Sequence, residues 1–233
     1  MNFLDVLKAI PIVGYVFLGL FIVASIVQII LAVLEKEIAR RYEKAFLIPL
    51  LTVFVIVTIP NHPLAYAALL TAWIGDILVA LPSKKAFALG ALFFLVCHIL
   101  NTLEVLIGLC QMNVPPMVVV AIVLTYLVVY IVGFIFYFRK IAKSTLEGLG
   151  MSVYYSALYL LIPSFAYAIA LLGGFTFLGM IGYVFFIISD TLIIIFKYVV
   201  EVKRKHTYIM STYLVAQLLI ALGYVFTYIA LGL

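Results

Sequence analysis

The 233 residues are 68% hydrophobic and 10% charged, with 14 Lys and Arg against 9 Asp and Glu for a net charge of +5, and the mean hydropathy is +1.36. So few charged side chains cannot clothe a water-soluble body of this size, which excludes a soluble globular domain and points to a polytopic integral membrane protein. The cations sit in short turns between apolar runs rather than in a stripe interleaved with aromatics, which argues against a nucleic-acid surface.

In chain order, a short polar lead of nine residues carries Asp5 and Lys8. An apolar run over about 11–34 follows; it is longer than a signal-peptide core and lacks a small-residue cleavage site, so it reads as a retained span. A charged turn over about 35–44 holds Lys36, Arg40, Arg41 and Lys44, and a short second span over about 45–59 has Pro49 near its start, where a helix tolerates proline. Asn61-His62-Pro63 is an uncharged turn. Further spans are predicted at about 64–81, 86–110, 116–138, 151–172, 175–198 and 207–230. The expected fold is all-α, a bundle of eight transmembrane helices in a single domain over residues 1–233, with no loop long enough to fold alone. Cys97 and Cys110 share one predicted helix about 20 Å apart, too far for a disulfide.

Basic residues fill the odd-numbered turns (Lys36, Arg40, Arg41 and Lys44; Lys84 and Lys85; Arg139, Lys140 and Lys143; Lys203, Arg204 and Lys205), and the even-numbered turns hold none. The positive-inside rule then makes the odd turns cytoplasmic and places both termini on the outer or lumenal side. Tyr42, Tyr137, Tyr198 and Tyr208 border the basic turns, as interfacial aromatics do.

Carboxylates inside apolar helices are costly and mark function by default. Asp76 precedes Pro82 by about 9 Å of helix, Asp190 lies about 13–15 Å from the inner end of its own helix, and His98 reaches a similar depth. Gly75-Asp76-Ile77-Leu78 and Ser189-Asp190-Thr191-Leu192 share a small-Asp-x-Leu pattern on helices of the same sense, so both aspartates fall in the cytoplasmic half. Asp76, Asp190 and His98 are therefore the catalytic candidates, His98 being read equally as a helix–helix hydrogen-bonding partner. Asn101 and Thr102 follow His98 on the same helical face. Lys197 is an interfacial anchor or a phosphate contact, Glu104 a solvated helix end, and Tyr154 and Tyr155 line the inner part of the sixth span. There is no HExxH, no CxxC and no close His pair, so no metal ligand set is assigned.

The run Gly75-Asp76-Ile77-Leu78 with Leu81-Pro82-Ser83, then Phe87, Gly90, Phe93 and His98, and downstream Ser189-Asp190-Thr191-Leu192 with Phe196-Lys197-Tyr198, resembles the YhhN-like family of eight-span membrane proteins, which includes the lysoplasmalogenases. The similarity runs in outline from about Lys44 to the last helix; where the family usually has Lys-Pro at the opening of the second helix, this chain has Lys44-Ala45, with Pro49 four residues on. The resemblance implies hydrolysis of the vinyl ether bond of a lysoplasmalogen to a fatty aldehyde and a glycerophospho-alcohol, with Asp76 and Asp190 in the active site. Its expected partners are the lysophospholipid, water and the surrounding lipid, with no cofactor and no protein partner. Such chemistry suits two buried carboxyls, one giving a proton to carbon and the other steadying an oxocarbenium ion, as in glycoside hydrolysis. Lys44, Lys84 or Lys197 would hold the substrate phosphate, and Asn101, Tyr154 and Tyr155 complete the expected substrate contacts. The rival readings are a proton-coupled transporter built on the same Asp and His groups, a retinal-type photoreceptor, and a lipid scaffold without turnover.

Overall fold

In a computed structural model, the structure describes residues 3–111, 176–198 and 200–232 and three single positions, 117, 120 and 124; the expected spans at 116–138 and 151–172, with Tyr154 and Tyr155, lie outside the described residues. The described residues are all-helical, in the order α1 (Phe3–Ala9), α2 (Ile12–Val33), α3 (Glu37–Thr58), α4 (Pro63–Val79), α5 (Lys84–Gln111), α6 (Thr176–Tyr198) and α7 (Lys205–Leu231). Among the described residues, three stretches are long and apolar enough to cross a membrane: Ile12–Val33, Lys85–Glu104 and Lys205–Leu231. Within α2 only Gly14, Phe21, Gln28 and Ala32 are buried, a narrow stripe at roughly heptad spacing, while Ile12, Val16, Val23 and Ile30 are exposed. An apolar helix that presents most of its circumference outward is suited to lipid, not water.

Three expectations change. The polar lead is largely helical, and α1 turns Val6 into the core. The charged turn shrinks to Leu34, Glu35 and Lys36: Glu35 takes the left-handed conformation at φ 56°, its N–H bonds to Ala32 O at 3.3 Å and that of Lys36 to Leu31 O at 3.0 Å, a Schellman-type stop for α2. Glu37 to Lys44 belongs to α3 instead, because Glu, Arg and Lys are good helix formers and charge does not interrupt a helix.

It follows that Pro49 lies inside α3, not at its start. Proline has no N–H to give to the carbonyl four residues earlier, which frees the oxygen of Ala45. That oxygen accepts a hydrogen bond from Trp73 Nε1 on α4 at 2.7 Å. The missing donor in one helix thus becomes the anchor of the next, and it falls one turn before Asp76.

The most intimate helix pairs are α6 with α7 and α4 with α5, followed by α2 with α3 and α3 with α4. Glycine makes the first two possible. A Cβ on Gly90 would stand 3.0 Å from Gly75 O, and one on Gly223 only 2.5 Å from Gly179 N, so the backbones touch as they do at small-residue interfaces between membrane helices.

Two outcomes are expected in detergent-solubilised protein. Trp73→Phe lowers stability by about 1–2 kcal/mol by orphaning the Ala45 carbonyl; in a Pro49→Ala background, where an amide can again reach that oxygen, thermal melts show a smaller cost. Gly223→Ala lowers stability by roughly 1–3 kcal/mol, since backbone and not a flexible side chain must move; an unchanged melting temperature would contradict this packing.

Candidate functional site

The α4 sequence buries Ala65, Ala68, Leu69, Ala72, Gly75 and Asp76 on one face. Small residues let α3 and α5 close in, and they carry Asp76 inward with them. Its carboxylate is 3% exposed and is met from two helices: Lys44 Nζ of α3 lies 2.8 Å from Oδ1, and the Tyr213 hydroxyl of α7 donates to Oδ2 at 2.6 Å. The Lys44 ammonium also lies 5.7 Å from the centre of the Tyr213 ring, within cation–π range. A buried carboxylate needs such a cation and donor to remain in an apolar surrounding. The structure thus puts Lys44, expected at the phosphate, on Asp76.

Asp190 of α6 is 2% exposed and His98 of α5 is 1% exposed. Cys97, beside His98, is a free buried thiol, and Asp190 follows Phe186 by one turn on the same face of α6. The two aspartates and the histidine therefore border one interior region. The ring of Phe186 on α6 ties it together, with centroids 5.0 Å from His98, 5.6 Å from Tyr213 and 6.2 Å from Phe94. Neither ring nitrogen of His98 has a hydrogen-bond partner among the described residues, so its imidazole is not bonded to either carboxylate.

The polar groups continue up the same face of α5. Asn101 Nδ2 donates to Cys97 Sγ at 3.4 Å, and Asn101 Oδ1 accepts from the Tyr224 hydroxyl at 2.9 Å, which is in turn 2.7 Å from the Tyr183 hydroxyl. One turn further, Glu104 is a correction: it is buried and not a solvated helix end. The uncharged turn before α4 brings His62 Nδ1 to within 2.7 Å of Glu104 Oε1, and the Tyr228 ring stacks on the imidazole with centroids 3.6 Å apart. An Asp76 centre and a Glu104 centre thus lie at the two ends of a polar column, about 22 Å long measured from Tyr213 to Tyr228 along α7.

Sequence reasoning missed Tyr213, Tyr224 and His62. The signal was present in α7, where Tyr213, Tyr224 and Tyr228 are spaced by 11 and 4 residues and so share one face. Nothing in the sequence singled out His62, whose role depends on the helix that follows it. Of the expected substrate contacts, Lys197 lies near the end of α6.

Helices of membrane length around a buried cluster of carboxylates, lysine, histidine and tyrosines define an all-helical membrane protein with an interior polar centre. The model of the YhhN family matches residues 39–224, which takes in Lys44, Asp76, His98, Asn101, Asp190 and Tyr213, and the chain belongs to that family. Comparison with curated proteins and with solved structures finds no match.

If Lys44 balances Asp76, then Lys44→Met leaves a buried carboxylate without its cation, and stability falls by about 3–5 kcal/mol. The double variant Lys44→Met/Asp76→Asn removes both charges and melts above the single Lys44→Met variant; a double variant no more stable than the single would show that the pair is not coupled.

Proposed function

We propose that this chain is an eight-span membrane hydrolase that cleaves the vinyl ether bond of lysoplasmalogen-type lysophospholipids, with Asp76 and Asp190 as its two working carboxyls. The observation that carries the reading is that both aspartates are buried, Asp76 against the Lys44 ammonium at 2.8 Å and Asp190 one helical turn after Phe186, the ring that packs on both His98 and Tyr213. Two carboxyls that share one apolar interior can divide the roles of acid and base between them.

Asp190 gives its proton to the vinyl carbon distal to the ether oxygen, and the electron pair of the double bond forms the new C–H bond. The resulting oxocarbenium ion is steadied by the Asp76 carboxylate, whose place is fixed by Lys44 and Tyr213. Water adds to the cationic carbon and loses a proton to the carboxylate pair, and the hemiacetal then collapses to aldehyde and alcohol, so no net proton is consumed. With Lys44 engaged by Asp76, the phosphate falls to Lys84, the first residue of α5, and Lys197, next to the last of α6. Tyr154 and Tyr155 remain candidates for the lipid backbone, and the basic odd-numbered turns face the cytoplasm.

The polar column from Asp76 to the His62 and Glu104 pair favours one second reading, a proton-coupled transporter. The purified protein given a lysoplasmalogen, with an acyl lysophospholipid as control, separates the two. The hydrolase releases fatty aldehyde from the vinyl ether only, and Asp76→Asn or Asp190→Asn reduces the rate on the order of 10²–10⁴-fold without loss of folding. No aldehyde from the wild type over a range of pH and head groups, together with Asp76-dependent proton flux into sealed vesicles, would replace the first reading with the second.

A further inference from the structure

Most polar groups in the interior are already engaged. Lys44 Nζ and the Tyr213 hydroxyl are both on Asp76, at 2.8 Å and 2.6 Å. Asn101 spans Cys97 and Tyr224, at 3.4 Å and 2.9 Å, and Glu104 holds His62 at 2.7 Å. His98 differs: its ring is 1% exposed, and both Nδ1 and Nε2 are buried without a partner among the described residues. A polar ring enclosed in this way weakens the fold unless something arrives to bond it.

Its surroundings say where such a group would sit. The imidazole meets Phe186 edge-to-face at 5.0 Å and 82°, and the same Phe186 ring lies 5.6 Å from Tyr213, the donor to Asp76. A ligand atom bonded to His98 is therefore held inside the candidate site, not beside it.

The chemistry of that atom follows from the ring. A neutral imidazole offers one donor and one acceptor, and here no neighbour fixes which nitrogen is which. A hydroxyl can satisfy either nitrogen, whereas an ester oxygen can only accept and brings a second chain into a cage walled by Phe94, Phe186 and Tyr213. We propose that His98 is the specificity-determining residue that bonds the free central hydroxyl of a single-chain glycerophospholipid. The choice of lipid rests on the hydrolase reading above, and the role of His98 is tested apart from turnover.

The probes are a saturated 1-O-alkyl lysophospholipid, which vinyl ether hydrolysis cannot consume, and its 2-deoxy analogue. Each is titrated into detergent-solubilised wild type, His98→Phe and His98→Met, with Trp73, the single tryptophan, as the fluorescent reporter and calorimetry as a second readout. The wild type is expected to bind the hydroxyl-bearing lipid about tenfold more tightly than the deoxy analogue, and the variants to bind the two alike. His98→Met serves where His98→Phe fails to fold. Equal binding of both lipids by the wild type, or a tenfold preference that survives in a folded variant, overturns the proposal. Absence of aldehyde release from a vinyl ether lipid would sink the hydrolase reading while this binding comparison still decides on His98.

Discussion

An ionised carboxyl in the interior of an apolar helical protein has to be met by opposite charge, and the position of Asp76 sets the arrangement of α3, α4 and α7 around it. Its two oxygens are held by Lys44 and Tyr213, residues 32 positions before it and 137 after it. That junction requires α4 to turn its alanine face inward, which is what allows the neighbouring backbones to approach. It also requires α3 and α4 to keep one register. Pro49 supplies this by leaving the Ala45 carbonyl open to Trp73, three residues before Asp76. Removing a hydrogen bond from one helix is thereby converted into alignment between two.

The rest of the interior has two textures. Within the pairs α4/α5 and α6/α7, glycines bring backbone against backbone. Between the pairs, the contacts are long side chains: Phe94 and His98 against Phe186, and Asn101 and Glu104 against Tyr224 and Tyr228. Both aspartates, the histidine and the polar column belong to this second region. Many buried polar groups there are matched one to another as low-dielectric surroundings demand, while both ring nitrogens of His98 are left without a partner among the described residues.

Much of this was legible in the sequence, for reasons that differ by residue. The helices were visible because apolar runs bounded by basic turns leave little choice, and Asp76, Asp190 and His98 stood out because ionisable groups in such runs are rare. The start of α3 was misjudged because charge was taken as a sign of a turn, although Glu37 to Lys44 has good helix propensity. Lys44 looked like an interfacial cation because its partner is 32 residues away, and pairing at that range is a property of packing. Glu104 and His62 were opaque for the same reason: each is unremarkable alone, and only the approach of α4 to α5 makes them a pair. Tyrosine, common throughout this chain, hid Tyr213 and Tyr224 among many interfacial and packing rings.

The glycine contacts carry a mechanical consequence. Gly179 and Gly223 leave no side chain between α6 and α7, and Gly75 and Gly90 leave little between α4 and α5, so each pair moves as one stiff plank. Hinging within a plank would drive backbone into backbone. Parting the planks moves side chains and not backbones: rings such as Phe94 and Phe186 slide, and the Tyr213–Asp76 and Tyr224–Asn101 hydrogen bonds open. Among the described helices the compliant direction is therefore sideways, along the seam that holds the aspartates.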